Sequence, residues 1–305
     1  MPLRLALRLA PLFVAAALSP LLAAPAPLPP PGSLAVAPSP LVDAPALDDL
    51  LTLPGERVNV RYPPGALDRA ARVQLRLEAF HKLWEGFVPK PLAWSAALLS
   101  REQWQSAGLG PYGSVVRPGP GEFLLPSEGD AGTVAFVRAL TGGTVPDPGV
   151  DPMLGTREEA GSLIVSDLLL ELEAARDFVA LAPLTGDVPW ASGVLLQLVL
   201  RYTWDRLEPT QTLLYVALFD AIAAVNGGPR ARRLADYGDG LPFEVELWYQ
   251  AQFVRGADAV WIETSWMGVS RRFDKWRRKG VPVTAAELEK RYPGILAWKR
   301  DAFAP

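Results

Sequence analysis

Residues 157–182 read REEAGSLIVSDLLLELEAARDFVALA, a stretch with no proline and a single glycine. Such a stretch predicts one long helix or two in succession, and it divides the chain. Upstream, Arg57-Val58-Asn59-Val60-Arg61-Tyr62 alternates polar and apolar, the mark of a half-buried strand, and Pro63-Pro64-Gly65 ends it. Val73, Leu77, Phe80, Trp84 and Phe87 then recur at steps of four and three, which predicts an amphipathic helix closed by Pro89 and Pro91. Leu92 to Leu99 reads as a strand. Ser100 with Gln103 three residues on is a capping-box pattern opening a short helix. Gly113 to Val116 and Glu122 to Leu125 read as two strands joined by Arg117-Pro118-Gly119-Pro120-Gly121. Thr133 to Leu140 fits either a strand or a helix, and 141–154 is a Gly/Pro/Asp loop. Downstream, helices are predicted over Trp190–Leu207, Thr210–Val225, Phe243–Glu263, Ser265–Lys279 and Thr284–Tyr292. Asn226-Gly227-Gly228-Pro229 stops the second of these. The pattern is α+β: a small mixed N-terminal sheet with a long helix, followed by a mainly α-helical part.

Composition bounds the function. At 305 residues, half of them hydrophobic, the chain has material for one large domain or two smaller ones. A net charge of -3 and a pI near 5.4 argue against nucleic acid as partner. There is no cysteine and one histidine, His81, so disulfides, thiolate nucleophiles, Cys-type zinc sites and a histidine-ligated zinc site built by this chain alone are excluded. Arg4 and Arg8 precede an apolar stretch, Leu9 to Ala24, and the small-residue boundary Ala23-Ala24-Pro25-Ala26. This is the pattern of a secretory signal over 1–26, with an uncleaved anchor as the alternative and the one expected route to a membrane. Pro29-Pro30-Pro31 marks 27–55 as an extended Pro/Ala-rich linker. The folded part is expected at 56–305, β-rich over 56–155 and helical over 156–305.

Most chemical motifs are absent or out of context. His81 sits beside the first apolar stripe without a nearby nucleophile and reads as a helix-flank residue. There is no GxSxG elbow and no SxxK pair. Gly108-Leu109-Gly110-Pro111-Tyr112-Gly113 has GxGxxG spacing, but a helix precedes it and a strand follows, the reverse of a dinucleotide site. Glu171, Glu173, Asp177, Glu244 and Glu246 are candidates for a paired-carboxylate hydrolase; on a helix, Glu171, Glu173 and Asp177 read as solvated, with Arg176 a partner for Glu173. Asp236 to Gly240 lacks the spacing of a calcium loop. The sharpest charge anomaly is 271–279, where Arg271, Arg272, Lys275, Arg277, Arg278 and Lys279 flank Phe273 and Trp276. On a helix the two aromatics turn inward while the bases stay wet, a face suited to anionic lipid, cell-wall polymer or an acidic partner.

The order strand, helix, strands, long helix, Pro-Trp, helix resembles the gluzincin-type (peptidase MA-like) metallopeptidases. In that family the long helix carries HExxH, with two histidines on one helical face holding zinc and the glutamate acting as general base. Leu170-Glu171-Leu172-Glu173-Ala174 occupies that place. The resemblance assigns Leu170 and Ala174 to the two histidine positions and Glu171 to the general base. After eighteen residues comes Gly193, at the place of the third ligand in a Trp-x-x-Glu pattern begun by Trp190. Leu247-Trp248-Tyr249-Gln250 is similar to an aromatic-Gln region of a C-terminal helix in some bacterial members. Leucine, alanine and glycine offer a metal no lone pair, so the resemblance implies a zincin-like arrangement without metal or other cofactor. The expected protein is a secreted or periplasmic, non-catalytic pseudo-peptidase. It would bind a peptide, a protein or an anionic envelope component through Trp190, Trp248, Tyr249 and Gln250 or through the basic helix. The alternatives are a metal-independent, carboxylate-based glycosidase and a structural exported domain.

Overall fold

Val58, Val60 and Tyr62 point inward and Asn59 outward, so the alternation read at 57–62 is a strand, β2 (Val58–Tyr62). The computed structural model describes residues 49–88, 94–109, 112–140, 157–182, 184–209, 212–238 and 240–305. The signal and most of the linker expected at 1–55 lie outside these residues. Within the linker span, however, Leu51–Leu53 forms a short strand, β1, antiparallel to β2 with Leu51 opposite Tyr62. A three-residue strand is too short to show a period beside a proline-rich run; what fixes it is the backbone ladder and Gln74 Nε2, which donates to the Leu53 carbonyl at 3.1 Å.

Helix α1 (Leu67–Trp84) follows, with a 3-10 turn at Glu85–Phe87. β3 (Trp94–Leu99) and β4 (Glu122–Pro126) complete a sheet of order β1-β2-β3-β4. β2, β3 and β4 run parallel, with Val60 opposite Ala96 and Leu98 opposite Leu125. β3 and β4 are buried on both faces, as parallel strands usually are. On one face Trp94 meets Phe80 of α1 at 5.5 Å and Phe123 of β4 at 5.8 Å. On the other, Ala97, Leu99 and Leu124 pack with Trp104 of α2 (Arg101–Ser106). The predicted capping box is present in full, Ser100 and Gln103 each bonding the other's backbone N–H. The strand expected at Gly113–Val116 reduces to a single bridge between Val116 and Leu124, and the ambiguous 133–140 is helical, within α3 (Ala131–Leu140).

The helical part contains α4 (Arg157–Leu181), α5 (Pro189–Leu207), α6 (Thr212–Val225), α7 (Phe243–Lys279), α8 (Ala285–Arg291) and α9 (Pro293–Ala302). Residues 157–181 are thus one helix. Pro189 and Pro293 occupy the first turns of α5 and α9, where a missing N–H is harmless. α7 runs 37 residues without the break expected near Thr264. Thr264 Oγ1 donates to the Val260 carbonyl, one turn back, so its polar group is satisfied within the helix. α7 packs against α5, α6 and α9. The fold class is α+β, and the chain divides into two compact units. One comprises the chain to His81 and Leu92–Glu173; the other comprises Lys82–Pro91 and Ala174–Pro305. The division therefore falls inside α1 and inside α4.

Candidate functional site

Asp167 and Glu171 stand four residues apart on α4, on one helical face. Arg69 and Arg76 stand two turns apart on α1, and the four side chains meet in the first unit. Arg76 Nη1 lies 2.5 Å from Glu171 Oε1 and its Nη2 3.5 Å from Asp167 Oδ2. Arg69 Nη2 lies 2.5 Å from Asp167 Oδ1 and donates also to Ser166 Oγ at 3.3 Å. Ser166 in turn donates to the Leu163 carbonyl at 2.8 Å. None of the four charged side chains is more than 4 % exposed.

Burial on its own raises a carboxyl pKa, because the charged form loses water. At Asp167 the opposing effects of Arg69, then Arg76, and Arg72 outweigh burial and hold the carboxyl below the usual carboxylate range. The network sets Arg69 and Arg76 against Asp167 and Glu171 in a buried interior. Such a cluster is sustained only while every member keeps its partners. A general base needs a carboxylate that can receive a proton from water at the reaction centre. Glu171 instead holds the Arg76 guanidinium.

The reading of Glu171, Glu173 and Asp177 as solvated is overturned. Glu171 is 2 % and Asp177 6 % exposed, and half-buried Glu173 is held by Arg117 at 3.3 Å. Arg176, expected as a partner for Glu173, pairs with Glu246 of α7. His81, read as a helix-flank residue, is likewise buried, edge-on to Trp94 at 6.0 Å. Glu244 lies outside the residues whose side chains are described.

Leu170 and Ala174 are wholly buried, one turn apart on α4; Leu170 falls in the first unit, Ala174 and Gly193 in the second. Gly193 of α5 is a packing notch: a Cβ there would lie 2.4 Å from two ring carbons of Phe253 on α7. Trp190 is 9 % exposed, with its ring 6.1 Å from that of Trp298 and Lys299 Nζ 4.8 Å above it.

Trp248, Tyr249 and Gln250, expected at a binding surface, are interior residues whose polar atoms tie a loop to α7. Trp248 Nε1 donates to the Gly228 carbonyl at 3.0 Å and Tyr249 OH to the Arg233 carbonyl at 2.8 Å. Gln250 accepts from Gln197 Nε2 at 2.8 Å and donates to Tyr237 OH at 3.1 Å. Aromatic rings with a polar tip favour such buried positions when a partner is within reach.

Grooves open on the surface of the described residues. One, of about 620 Å³, is lined by Glu128, Asp130, Arg138 and Ser162; another, of about 510 Å³, by Arg232, Arg233, Asp236 and Tyr249. Neither is lined by Leu170, Glu171, Ala174 or Gly193. Among the described residues no group of three His, Cys, Asp or Glu side chains is placed to hold a metal ion, and no helix is long and apolar enough to cross a membrane.

At the end of α7 the expected division of faces is present. Phe273 and Trp276 are buried; Arg271, Lys275, Arg278 and Lys279 are exposed, with Arg272 and Arg277 half-buried. No protein-family model, curated protein or solved structure matches the chain.

Arg69, Arg76 and Asp167 were not legible as site residues, although one signal was present. Asp167 and Glu171 interrupt the run Leu163 to Leu172, and an acid inside an apolar run is buried only when paired.

Proposed function

We propose that the chain is an exported, non-catalytic protein of zincin-like layout, which acts by binding and makes its contacts from its surface. The observation that carries this reading is the pairing of Glu171 with Arg76 inside a buried interior. A carboxylate so held is a poor general base, and hydrocarbon or hydrogen stands at Leu170, Ala174 and Gly193, where the related peptidases place zinc ligands. The order of elements supports the peptidase-like ancestry, and the apolar stretch Leu9 to Ala24 supports export. The partner class that best suits the exterior is anionic, because the basic end of α7 remains in water while the aromatic-Gln segment is enclosed.

The test is zinc analysis of the purified protein together with a peptidase assay, with and without EDTA. Neither bound zinc nor hydrolysis is expected. Stoichiometric zinc with EDTA-sensitive hydrolysis that disappears in Glu171→Gln would overturn the reading.

A further inference from the structure

The six bases at 271–279 are not equivalent. Arg277, Arg278 and Lys279 fill the last turn of α7, where the negative end of the helix dipole attracts cations. Arg277 and Arg278 both pair with Asp274, at 3.0 and 2.7 Å, and Lys279 reaches Glu287 at 3.4 Å. Helix stability accounts for these three. Arg271, Arg272 and Lys275 precede the last turn and have no acidic partner among the described residues. They share one side of the helix, with Arg271 and Lys275 one turn apart.

The opposite side is fixed. Val269, Phe273 and Trp276 recur at steps of four and three and are buried. The Phe273 ring lies 5.5 Å from Trp84, and Trp276 Nε1 donates to Glu287 Oε1 at 3.2 Å. The cations are therefore presented by an anchored helix face. Met267, 51 % exposed, lies one turn before Arg271, and Val281, 56 % exposed, follows the helix end, so apolar side chains stand at both ends of the basic segment. Six bases against one acid give this segment +5 in a chain of net -3, leaving -8 for the remainder. An anionic surface would repel the rest of the molecule and attract this end.

We propose that Arg271, Arg272 and Lys275 dock this end of α7 on an anionic lipid surface, with Met267 entering the headgroup region. A bilayer supplies what the segment offers to meet: phosphates in a plane for the cations and hydrocarbon beneath them for the flanking apolar groups. This rests on the reading of an exported, surface-binding protein.

The test is sedimentation of the full chain with phosphatidylcholine vesicles, with and without about 30 % phosphatidylglycerol, at low and high salt. Binding is expected to need phosphatidylglycerol and to weaken with salt. The triple charge reversal Arg271→Glu, Arg272→Glu, Lys275→Glu is expected to lower the partition coefficient at least tenfold. Because the three side chains are not in the core, its thermal midpoint should stay near that of the parent. A second variant, Arg271→Lys with Arg272→Lys, should bind like the parent. Three outcomes would overturn the proposal: equal binding to vesicles without phosphatidylglycerol; binding untouched by the reversal, which assigns it to the N-terminal apolar stretch; or capture by inorganic polyphosphate with none by vesicles, which assigns the face to a soluble anionic polymer. Each leaves the zinc and peptidase result standing, and hydrolytic activity would leave the vesicle result standing.

Discussion

Any side chain at position 193 starts with a Cβ 2.4 Å from the Phe253 ring. A ring seated in a packed interior has little room to yield, so Gly193→Ala is expected to destabilise by about 1–3 kcal/mol, read as a lowered urea midpoint. Gly193→Glu, which would place a carboxylate at this position, should cost more, because it adds an unpaired charge to the same clash. A midpoint for Gly193→Glu equal to that of the parent would show that the notch is not closed. The absence of metal-ligating atoms at positions 170, 174 and 193 was legible in the sequence, since it needs only residue identity. The fate of Glu171 was not. Acids four residues apart on a helix have the same spacing whether water or arginine faces them. The deciding partner, Arg76, lies far away in the sequence.

At the scale of elements, α7 carries most of what was misread. Thr264-Ser265 suggested a junction, yet the Thr264 hydroxyl bonds back to Val260 and the helix continues to Gly280. Gly280 has φ 63°, the left-handed conformation that closes a helix and strains any residue with a Cβ. Gly280→Ala is expected to cost about 1 kcal/mol in chemical unfolding, with no change in the oligomeric state. Phe273→Ala removes the ring set against Trp84 and should cost about 3–5 kcal/mol. It should also release the basic face from its fixed orientation, seen as faster amide exchange over the last turns of α7. Retained protection there would mean that the helix end is held by other contacts. The inward turn of Phe273 and Trp276 was legible, because a three-residue step fixes a shared face whatever the surroundings. The stop at Gly280 is a local matter. The run from Phe243 to Lys279 is not, for it depends on three other helices packed along it.

Across the whole molecule, the α+β order was legible because a change from period-two to period-3.6 patterning survives errors of a few residues at every boundary. The division into two units was not, since it cuts α1 and α4 internally and no turn or composition shift marks either point. Global stability should follow the buried charges. Asp167 has a folded pKa below its unfolded value, so the unfolded chain takes up the proton first as the pH falls. Its contribution is whole above the unfolded value of about 3.9 and is lost as the pH drops from there through the depressed folded value. The urea midpoint should therefore fall steeply below about pH 4, and Asp167→Asn should be less stable at neutral pH with a flatter acid limb. An unchanged limb in that variant would remove Asp167 as its cause. A double-mutant cycle of unfolding free energies on the parent, Arg76→Met, Glu171→Leu and the double variant measures directly whether Arg76 holds Glu171. Each single change takes one partner from a buried charge and should destabilise by about 3–5 kcal/mol, while the double variant should recover much of the loss, a coupling of about 2 kcal/mol or more. Additive effects with no coupling would mean that Glu171 is not held in this way, and would return it to the list of catalytic candidates.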